Sequence, residues 1–271
     1  MQKRAIQVCE TMAESRVYET ENGEMNVILS LIMDMGELLL AHGAEVSRVE
    51  DTIRRLCCAY GCARADVFTI TSSIIVTALP PGGNAITQTR RIRDRDTDLG
   101  TVEKVNALAR KVCGKPVGAA DLRREIQAIR ETKKAPWYLN LAMYMVISAA
   151  LSVFFGGTWA DGAAAVLSGM VLYTTLYSST VLKLNSIIQT MVCSALTALS
   201  VMLLRRVGIG GHPDKIMIGN VMLVIPGIQL TTSIRDMING DIISGLLNMS
   251  EALLKAISVA MGFAIVLIVG G

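Results

Sequence analysis

The chain has 271 residues, of which 52% are hydrophobic and 4% aromatic, and its formal net charge is +3. This small, mixed charge and the shortage of aromatic rings exclude a nucleic-acid-binding protein, which needs a basic or base-stacking surface. Residues 1–135 hold 20 of the 26 Lys and Arg residues and 18 of the 23 Asp and Glu residues. The asymmetry predicts a first half that folds in water and a second half that lies in lipid.

The N-terminal part predicts a polar leader followed by two helices. Residues 1–25 contain no apolar stretch of the kind found in secretory signals, so the following domain is expected to stay in the cytoplasm. Apolar residues recur at helical spacing from Asn26, and Gly43 is the expected C-cap of this helix. Ser47 with Glu50 three residues later predicts a capping box that starts the second helix.

A β-rich stretch and two further helices complete the first domain. Residues 66–79 predict a strand, the Pro- and Gly-rich residues 80–84 a turn, and residues 86–93 a returning strand. Thr97 or Asp98 is expected to cap a third helix, and a fourth follows over residues 119–132. We therefore predict a small cytoplasmic α+β domain over residues 26–135.

Residues 136–271 predict an all-α transmembrane helical domain of about five helices. The expected spans are residues 137–155, 161–182, 186–204, 216–234 and 251–269, each close to the ~20 apolar residues that a bilayer requires. Basic residues before the first span, including Lys133 and Lys134, place the N-terminus on the cytoplasmic side of a multi-pass protein. Pro226 interrupts the fourth span, for which a re-entrant segment is the alternative.

The interrupted fourth span is the strongest candidate for a transport site. Pro226 cannot donate a backbone hydrogen bond and Gly227 adds backbone freedom, and such broken helices build substrate sites in secondary transporters. A tolerated proline kink is the alternative. The polar residues that surround the break are Asn220, Gln229 and Ser233. Two polar residues of the third span, Asn185 and Gln189, could face a pore.

Charged residues lie near the expected inner ends of the fourth and fifth spans. Asp236, Asp241 and Glu251 are candidate proton carriers, because a partly desolvated carboxylate can exchange protons near neutral pH. Arg235 could attract a substrate carboxylate, and Lys255 is the neighbouring lysine. The alternative is that each is an interfacial charge that caps a helix or extends to the membrane surface.

Metal and cofactor chemistry are not expected. Six cysteines and two histidines lack the paired spacing of a zinc site. The chain carries no phosphate-binding loop, no HExxH motif and no GxSxG motif, so we expect neither an enzyme nor a bound cofactor.

Two separated motifs resemble the threonine/serine exporter family. The first runs from Gly36 to Glu50 as GELLLAHGAEVSRVE. The second combines VIPG at residues 224–227 with SIRD at residues 233–236 and NGDIISG at residues 239–245. The resemblance extends from about Val27 to the C-terminus.

The resemblance implies one subunit of a split exporter. The chain resembles the larger subunit of the two-protein type, of which a bacterial succinate exporter pair is a member. It implies a small hydrophobic membrane protein as the partner, proton-driven export of threonine, serine or a dicarboxylate such as succinate, and a place in the bacterial cytoplasmic (inner) membrane. A homo-oligomer stays open, and a membrane-anchored sensor or scaffold whose soluble domain binds a ligand or protein is the alternative function.

Overall fold

The computed structural model describes residues 23–80, 83–132, 135–182 and 185–270, and the chain divides into two compact units. The sheet unit comprises the described residues up to Thr132 together with Thr231–Asn248. The membrane unit comprises the described residues from 135 to Leu230 and from Met249 onward. Most of the predicted leader, the centre of the predicted turn at residues 80–84 and the basic residues Lys133 and Lys134 lie outside the described residues.

The sheet unit begins with two helices, continues through three antiparallel strands and returns to helices. Its elements before Thr132 are α1 (23–41), α2 (Val46–Ala59), β1 (Arg64–Ile70), β2 (Ser73–Leu79), β3 (Ile86–Arg91), α3 (Leu99–Gly114) and α4 (Ala119–Arg130). The sheet order is β1-β2-β3. Gly43, at φ +92°, ends α1 as predicted, because the left-handed conformation there favours glycine.

The sheet differs from the predicted hairpin. The expected single strand over residues 66–79 is two strands, which reverse at Thr71 and Ser72 so that Ile70 pairs with Ser73. The reversal changes which residues share a face: Phe68 pairs with Ile75 on the outer face and is 57% exposed, whereas Ile74 is buried. Sequence alternation alone could not locate this turn, because it contains neither glycine nor proline.

The core of the sheet unit forms where α1 packs on α2 and on the sheet. A Cβ atom at Gly36 would lie 2.7 Å from Ile53 Cδ1, so α1 and α2 approach closely at this glycine. The fully buried side chains include Leu29, Ile32, Met33, Met35, Leu39, Ile53, Leu56, Ile74 and Leu122.

One predicted cap is confirmed and another is wrong. The Asp98 carboxylate caps α3 by accepting from Thr101 N–H at 3.1 Å. The capping box of Ser47 and Glu50 does not form, because α2 begins two residues earlier, with Glu45 at the N-cap position. Glu50 instead accepts from the Thr69 N–H at 2.8 Å and satisfies a backbone donor of β1.

The remaining helices span the membrane unit and return once to the sheet unit. They are α5 (Trp137–Phe154), α6 (Trp159–Val181), α7 (Ser186–Arg206), α8 (Pro213–Val221), α9 (Gly227–Ile238) and α10 (Ile242–Gly270). Among the described residues, four stretches are long and apolar enough to cross a membrane: Trp137–Phe154, Trp159–Val181, Ser186–Arg206 and Ile242–Val269.

The prediction of a small α+β domain followed by a bundle of about five transmembrane helices is wrong in its layout. The expected fourth span is two short helices, α8 and α9, because Pro226 interrupts the helical hydrogen bonds. The last span begins at Ile242 rather than near Glu251, since no proline interrupts the helix between the two residues. The chain also returns to the sheet unit over Thr231–Asn248 before its last span is complete.

Candidate transport site

The break between α8 and α9 consists of residues 222–226. The nine residues of α8 and the twelve of α9 are each shorter than the ~20 residues that cross a bilayer. Around Pro226 the backbone forms short-range bonds, with the Gly227 N–H donating to Ile225 O at 2.8 Å and the Leu230 N–H donating to Pro226 O at 3.0 Å. Irregular backbone at membrane depth is tolerated where it is buried in protein or lines a water-filled cavity.

Three of the predicted site residues meet beside this break. Lys255 Nζ donates to Glu251 Oε1 at 2.8 Å and to Gln229 Oε1 at 3.2 Å. Lys255 and Glu251 lie one turn apart on α10, and Gln229 follows Pro226 by three residues. Ionisable side chains on a membrane-spanning helix are expensive unless paired, and they commonly mark substrate or ion pathways. We call Gln229, Glu251 and Lys255 the break cluster.

Asn220 lies at the end of α8 and is fully buried. Its Oδ1 accepts from the Ser148 hydroxyl of α5 at 2.8 Å, and its Nδ2 donates to Ser168 Oγ of α6 at 2.8 Å and to Ile216 O at 2.9 Å. Sequence reasoning missed both serines, whose signal is a small polar residue inside an otherwise apolar helix.

The other two polar candidates of the third span lie where α6 passes into α7. Asn185 is the N-cap of α7, and its Oδ1 accepts from the Ile187 N–H at 2.9 Å. Gln189 Nε2 donates to Leu176 O and to Thr180 Oγ1, each at 3.3 Å. Asn185 therefore caps α7, whereas Gln189 joins α7 to α6.

In the sheet unit, the two motifs that are about 190 residues apart in sequence come into contact. We call this contact the motif junction, and it consists of Glu45, Val46 and Ser47 on one side and Arg235, Asp236 and Asn239 on the other. The Arg235 guanidinium pairs with the Glu45 carboxylate, and Asn239 Nδ2 donates to Ser47 Oγ at 3.2 Å.

Asp236 completes the start of α2 from a distant part of the chain. The Glu45 side chain makes no capping bond, and Asp236 Oδ1 accepts from the Val46 N–H at 3.2 Å. A carboxylate at a helix N-terminus satisfies a free N–H donor and interacts favourably with the helix dipole. Asp236 is 1% exposed, so its anionic form is largely removed from water.

Burial raises the pKa of several acids at this junction, all outside the four candidate spans. It raises the pKa of Asp236 to about 6; the Asp241 and Glu45 carboxylates add to this increase, and the Val46 N–H and Arg95 oppose it. Burial also raises the pKa of Asp241. It raises the pKa of Glu50 as well, although the hydrogen bond from the Thr69 N–H opposes this increase.

Two glycines of the second motif hold α9 and α10 together behind Asp236. Gly240 makes the turn between them at φ +99°. A Cβ atom at Gly245 would lie 2.4 Å from Met237 Cγ and 2.7 Å from Ser233 O, so α10 can approach α9 this closely only with glycine at that position. The candidate residue Ser233 is fully buried at this contact.

Asp161 is a fully buried acid in the first turn of α6. Its carboxylate accepts from the Thr158 N–H and hydroxyl, from the Gly211 and His212 N–H groups and from His212 Nδ1, at distances of 2.7 to 2.9 Å. It therefore fixes the loop before α8 to the start of α6. Among the described residues, no group of three or more His, Cys, Asp or Glu side chains could hold a metal ion.

Four long apolar helices and a broken polar segment define an integral membrane protein with the architecture of a transporter. The family described as "Putative threonine/serine exporter" matches residues 30–270, and the chain belongs to this family. The resemblance carried by the two motifs is thereby confirmed.

Three curated relatives are similar to most of the chain. "Probable succinate transporter subunit YjjP" is 24% identical in Klebsiella aerogenes, over 93% of this chain and 98% of the relative. The Escherichia coli protein of the same name is 24% identical over 92% and 96%. "Probable threonine/serine exporter" of Mycobacterium tuberculosis is 23% identical over 88% of this chain, which spans 45% of that relative. No solved structure matches the chain.

Proposed function

We propose that this chain is one subunit of a proton-coupled secondary exporter of small carboxylated metabolites, such as threonine, serine or succinate. Two relatives are named as subunits of a succinate transporter. A third relative, of which this chain spans 45%, is named as a threonine/serine exporter. This difference in length supports a small hydrophobic membrane protein as the partner that supplies the second half of the exporter. The complex would lie in the bacterial cytoplasmic membrane, with the sheet unit on the cytoplasmic side.

The observation that carries the proposal is the break cluster next to an interrupted helix. Lys255 supplies the positive charge that a cargo carboxylate requires, and within the described chain two of its three ammonium hydrogens have acceptors. The third can bind cargo without breaking the pair with Glu251. Arg235, the other candidate cation, pairs with Glu45 in the motif junction, so we assign cargo binding to Lys255.

Proton coupling is assigned first to Asp236. It is buried, it lies on the segment that continues from the break, and its raised pKa allows it to gain and lose a proton between pH 5 and 7. Asp241 shares this environment, and Glu251, which pairs with Lys255 in the break cluster, is the remaining candidate. Coupling by an acid of this kind needs no metal or cofactor.

Transport is tested in proteoliposomes that contain this chain and its partner, with labelled threonine, serine or succinate and an imposed pH gradient. The double variant Glu251→Gln/Lys255→Gln removes both charges together, so neither charge is left unpaired on a membrane-spanning helix. We expect it to insert normally and to lose flux. Lys215→Gln is the control, because Lys215 pairs with Asp214 outside the spans.

Two results would contradict the proposal. Unchanged flux in the Glu251→Gln/Lys255→Gln variant would remove the break cluster from the transport path. The absence of flux for all three cargos in the unmodified pair would argue against export and would favour the sensor or scaffold function.

A further inference from the structure

We propose that Asn220 is a positioning residue for transport: it fixes the end of α8 against α5 and α6, and so determines where the break begins, without contacting the cargo. This inference rests on the proposed function. It assigns to Asn220 a role different from that of a pore-lining polar residue.

The hydrogen-bonding capacity of the Asn220 amide is committed to the protein. Both hydrogens of Nδ2 have acceptors, Ser168 Oγ and Ile216 O, and Oδ1 accepts from the Ser148 hydroxyl. The side chain is 0% exposed. A cargo molecule could bind the amide only by displacing one of these partners, each of which would then lose a bond at membrane depth.

Backbone contacts hold the three helices at the distance that this amide requires. A Cβ atom at Gly219 would lie 2.7 Å from Ser148 O and 2.9 Å from the Ser152 nitrogen, so α8 packs directly on the backbone of α5. A Cβ atom at Gly169 would lie 2.9 Å from Ser148 Cβ, which places α6 equally close. Asn220 therefore closes a three-helix contact one residue before α8 ends at Val221.

The network can lose Asn220 without leaving a serine unsatisfied. Ala165 O lies 3.0 Å from Ser148 Oγ and is an alternative acceptor for its single hydrogen, and Ser168 Oγ lies 3.2 Å from both Ala164 O and Ala165 O. Truncation of Asn220 thus removes the connection between helices while both hydroxyls keep backbone acceptors. For this reason we expect the variant to fold, and a loss of function would report on position.

The first experiment measures flux and its half-saturation concentration in the reconstituted pair. For Asn220→Ala we expect the maximal rate to fall about tenfold, because the end of α8 loses its hydrogen bonds to α5 and α6. The half-saturation concentration should stay within about twofold, since no cargo contact is removed. Ser178→Ala is the control, because among the described residues the Ser178 hydroxyl bonds only to Thr174 O of its own helix.

Coupling between Asn220 and its partners distinguishes this role from others. We expect Ser148→Ala to lower the maximal rate in the parent and to have little further effect in the Asn220→Ala background. A cargo-binding Asn220 would instead raise the half-saturation concentration, with Ser148→Ala neutral. A merely structural Asn220 would reduce the amount of folded protein and leave its rate per molecule unchanged. Either of these results overturns the proposal.

A second experiment does not depend on flux. Spin labels on genetically encoded residues at Ile218 of α8 and Val146 of α5, both exposed positions, report the distance between the helices while the natural cysteines remain. We expect a narrow distance distribution in the parent and a broad one in Asn220→Ala. An equally narrow distribution in both would overturn the inference even if the unmodified pair exported none of the tested cargos.

Discussion

Two buried aspartates, Asp161 in the membrane unit and Asp236 in the sheet unit, are surrounded by very different groups. Asp161 is 0% exposed and accepts five hydrogen bonds from Thr158, Gly211 and His212. Asp236 is 1% exposed, and within the described chain its carboxylate accepts one hydrogen bond, from the Val46 N–H. Its neighbours include two further carboxylates, Asp241 and Glu45.

This difference separates an anchor from a proton carrier. A carboxylate that accepts several N–H and O–H donors is stabilised as an anion and fixes the groups that donate to it. A carboxylate that is equally buried but accepts few hydrogen bonds and has like-charged neighbours has a raised pKa, as Asp236 does. Burial alone would not have distinguished the two.

The largest effect is expected for Asp161→Ala. The substitution removes a fully buried carboxylate that accepts five hydrogen bonds from Thr158, Gly211 and His212, and each such bond contributes about 0.5–1.5 kcal/mol. We therefore expect a loss of about 3 kcal/mol or more, measured as a lower thermal midpoint of the purified protein in detergent.

The control for this variant is Asp214→Ala, which removes a carboxylate from the same loop region but from an exposed position. It should change the midpoint little. An Asp161→Ala protein as stable as the parent would show that the five hydrogen bonds do not hold the loop, and the comparison with Asp236 would then fail.

The next effect concerns Asp236 and pH. Because its pKa is raised from 3.8 to about 6, the folded protein holds this proton more tightly than the unfolded chain. The resulting stability is complete below about pH 4 and is lost as pH rises through about 6, by about 3 kcal/mol in total. Asp236→Asn should abolish this decline, measured as unfolding midpoints from pH 4 to 8, because an amide oxygen can still accept from the Val46 N–H.

Asp236→Ala is the matched variant, since it removes both the titration and the cap. It should lie about 1 kcal/mol below Asp236→Asn at all pH values, as expected for the loss of an N-cap. In flux assays Asp236→Asn should also remove the change in export near pH 6. A pH profile that is the same in the parent and in Asp236→Asn would exclude Asp236 as the proton carrier.

The two aspartates also illustrate which structural features could be predicted from the sequence. Local features were accessible: Gly43 ends α1, Asp98 caps α3, and the VIPG segment breaks the helix, each through chemistry confined to a few neighbouring residues. The two motifs also predicted the family correctly. They could not predict that Asp236 caps α2, because that bond joins residues 190 positions apart.

Charge patterns failed for a related reason. Asp161 and Asp236 each follow an apolar stretch near a helix end, and sequence gives no count of the donors that folding brings to a carboxylate. Ser47 and Glu50 had the spacing of a capping box, but tertiary contacts with Asn239 and Thr69 use both side chains elsewhere. The hydrogen bonds of Asp236, Ser47 and Glu50 therefore depend on partners that are distant in sequence.

A smaller effect is expected from tightening the contact behind Asp236. In Gly245→Ala the new methyl group would meet Met237 Cγ and Ser233 O, and forcing a methyl into a packed contact typically costs about 1–3 kcal/mol. Gly227→Ala is the control, since a Cβ there would meet no heavy atom of the described chain within 4 Å. If the two variants unfold at the same temperature, the α9–α10 contact does not support the junction.

The smallest effect is expected from the ion pair between Arg235 and Glu45. The Arg235 side chain is 55% exposed, and exposed pairs contribute about 0–1 kcal/mol because water and salt screen them. Arg235→Ala should therefore lower the thermal midpoint slightly, and the difference from the parent should vanish as the salt concentration is raised to about 1 M. The double variant Arg235→Ala/Glu45→Ala should match the single variant at high salt. If Arg235→Ala instead destabilises the protein more than Asp236→Ala, charge pairing rather than capping holds the two motifs together. Protonation of Asp236 would then have no effect on α2.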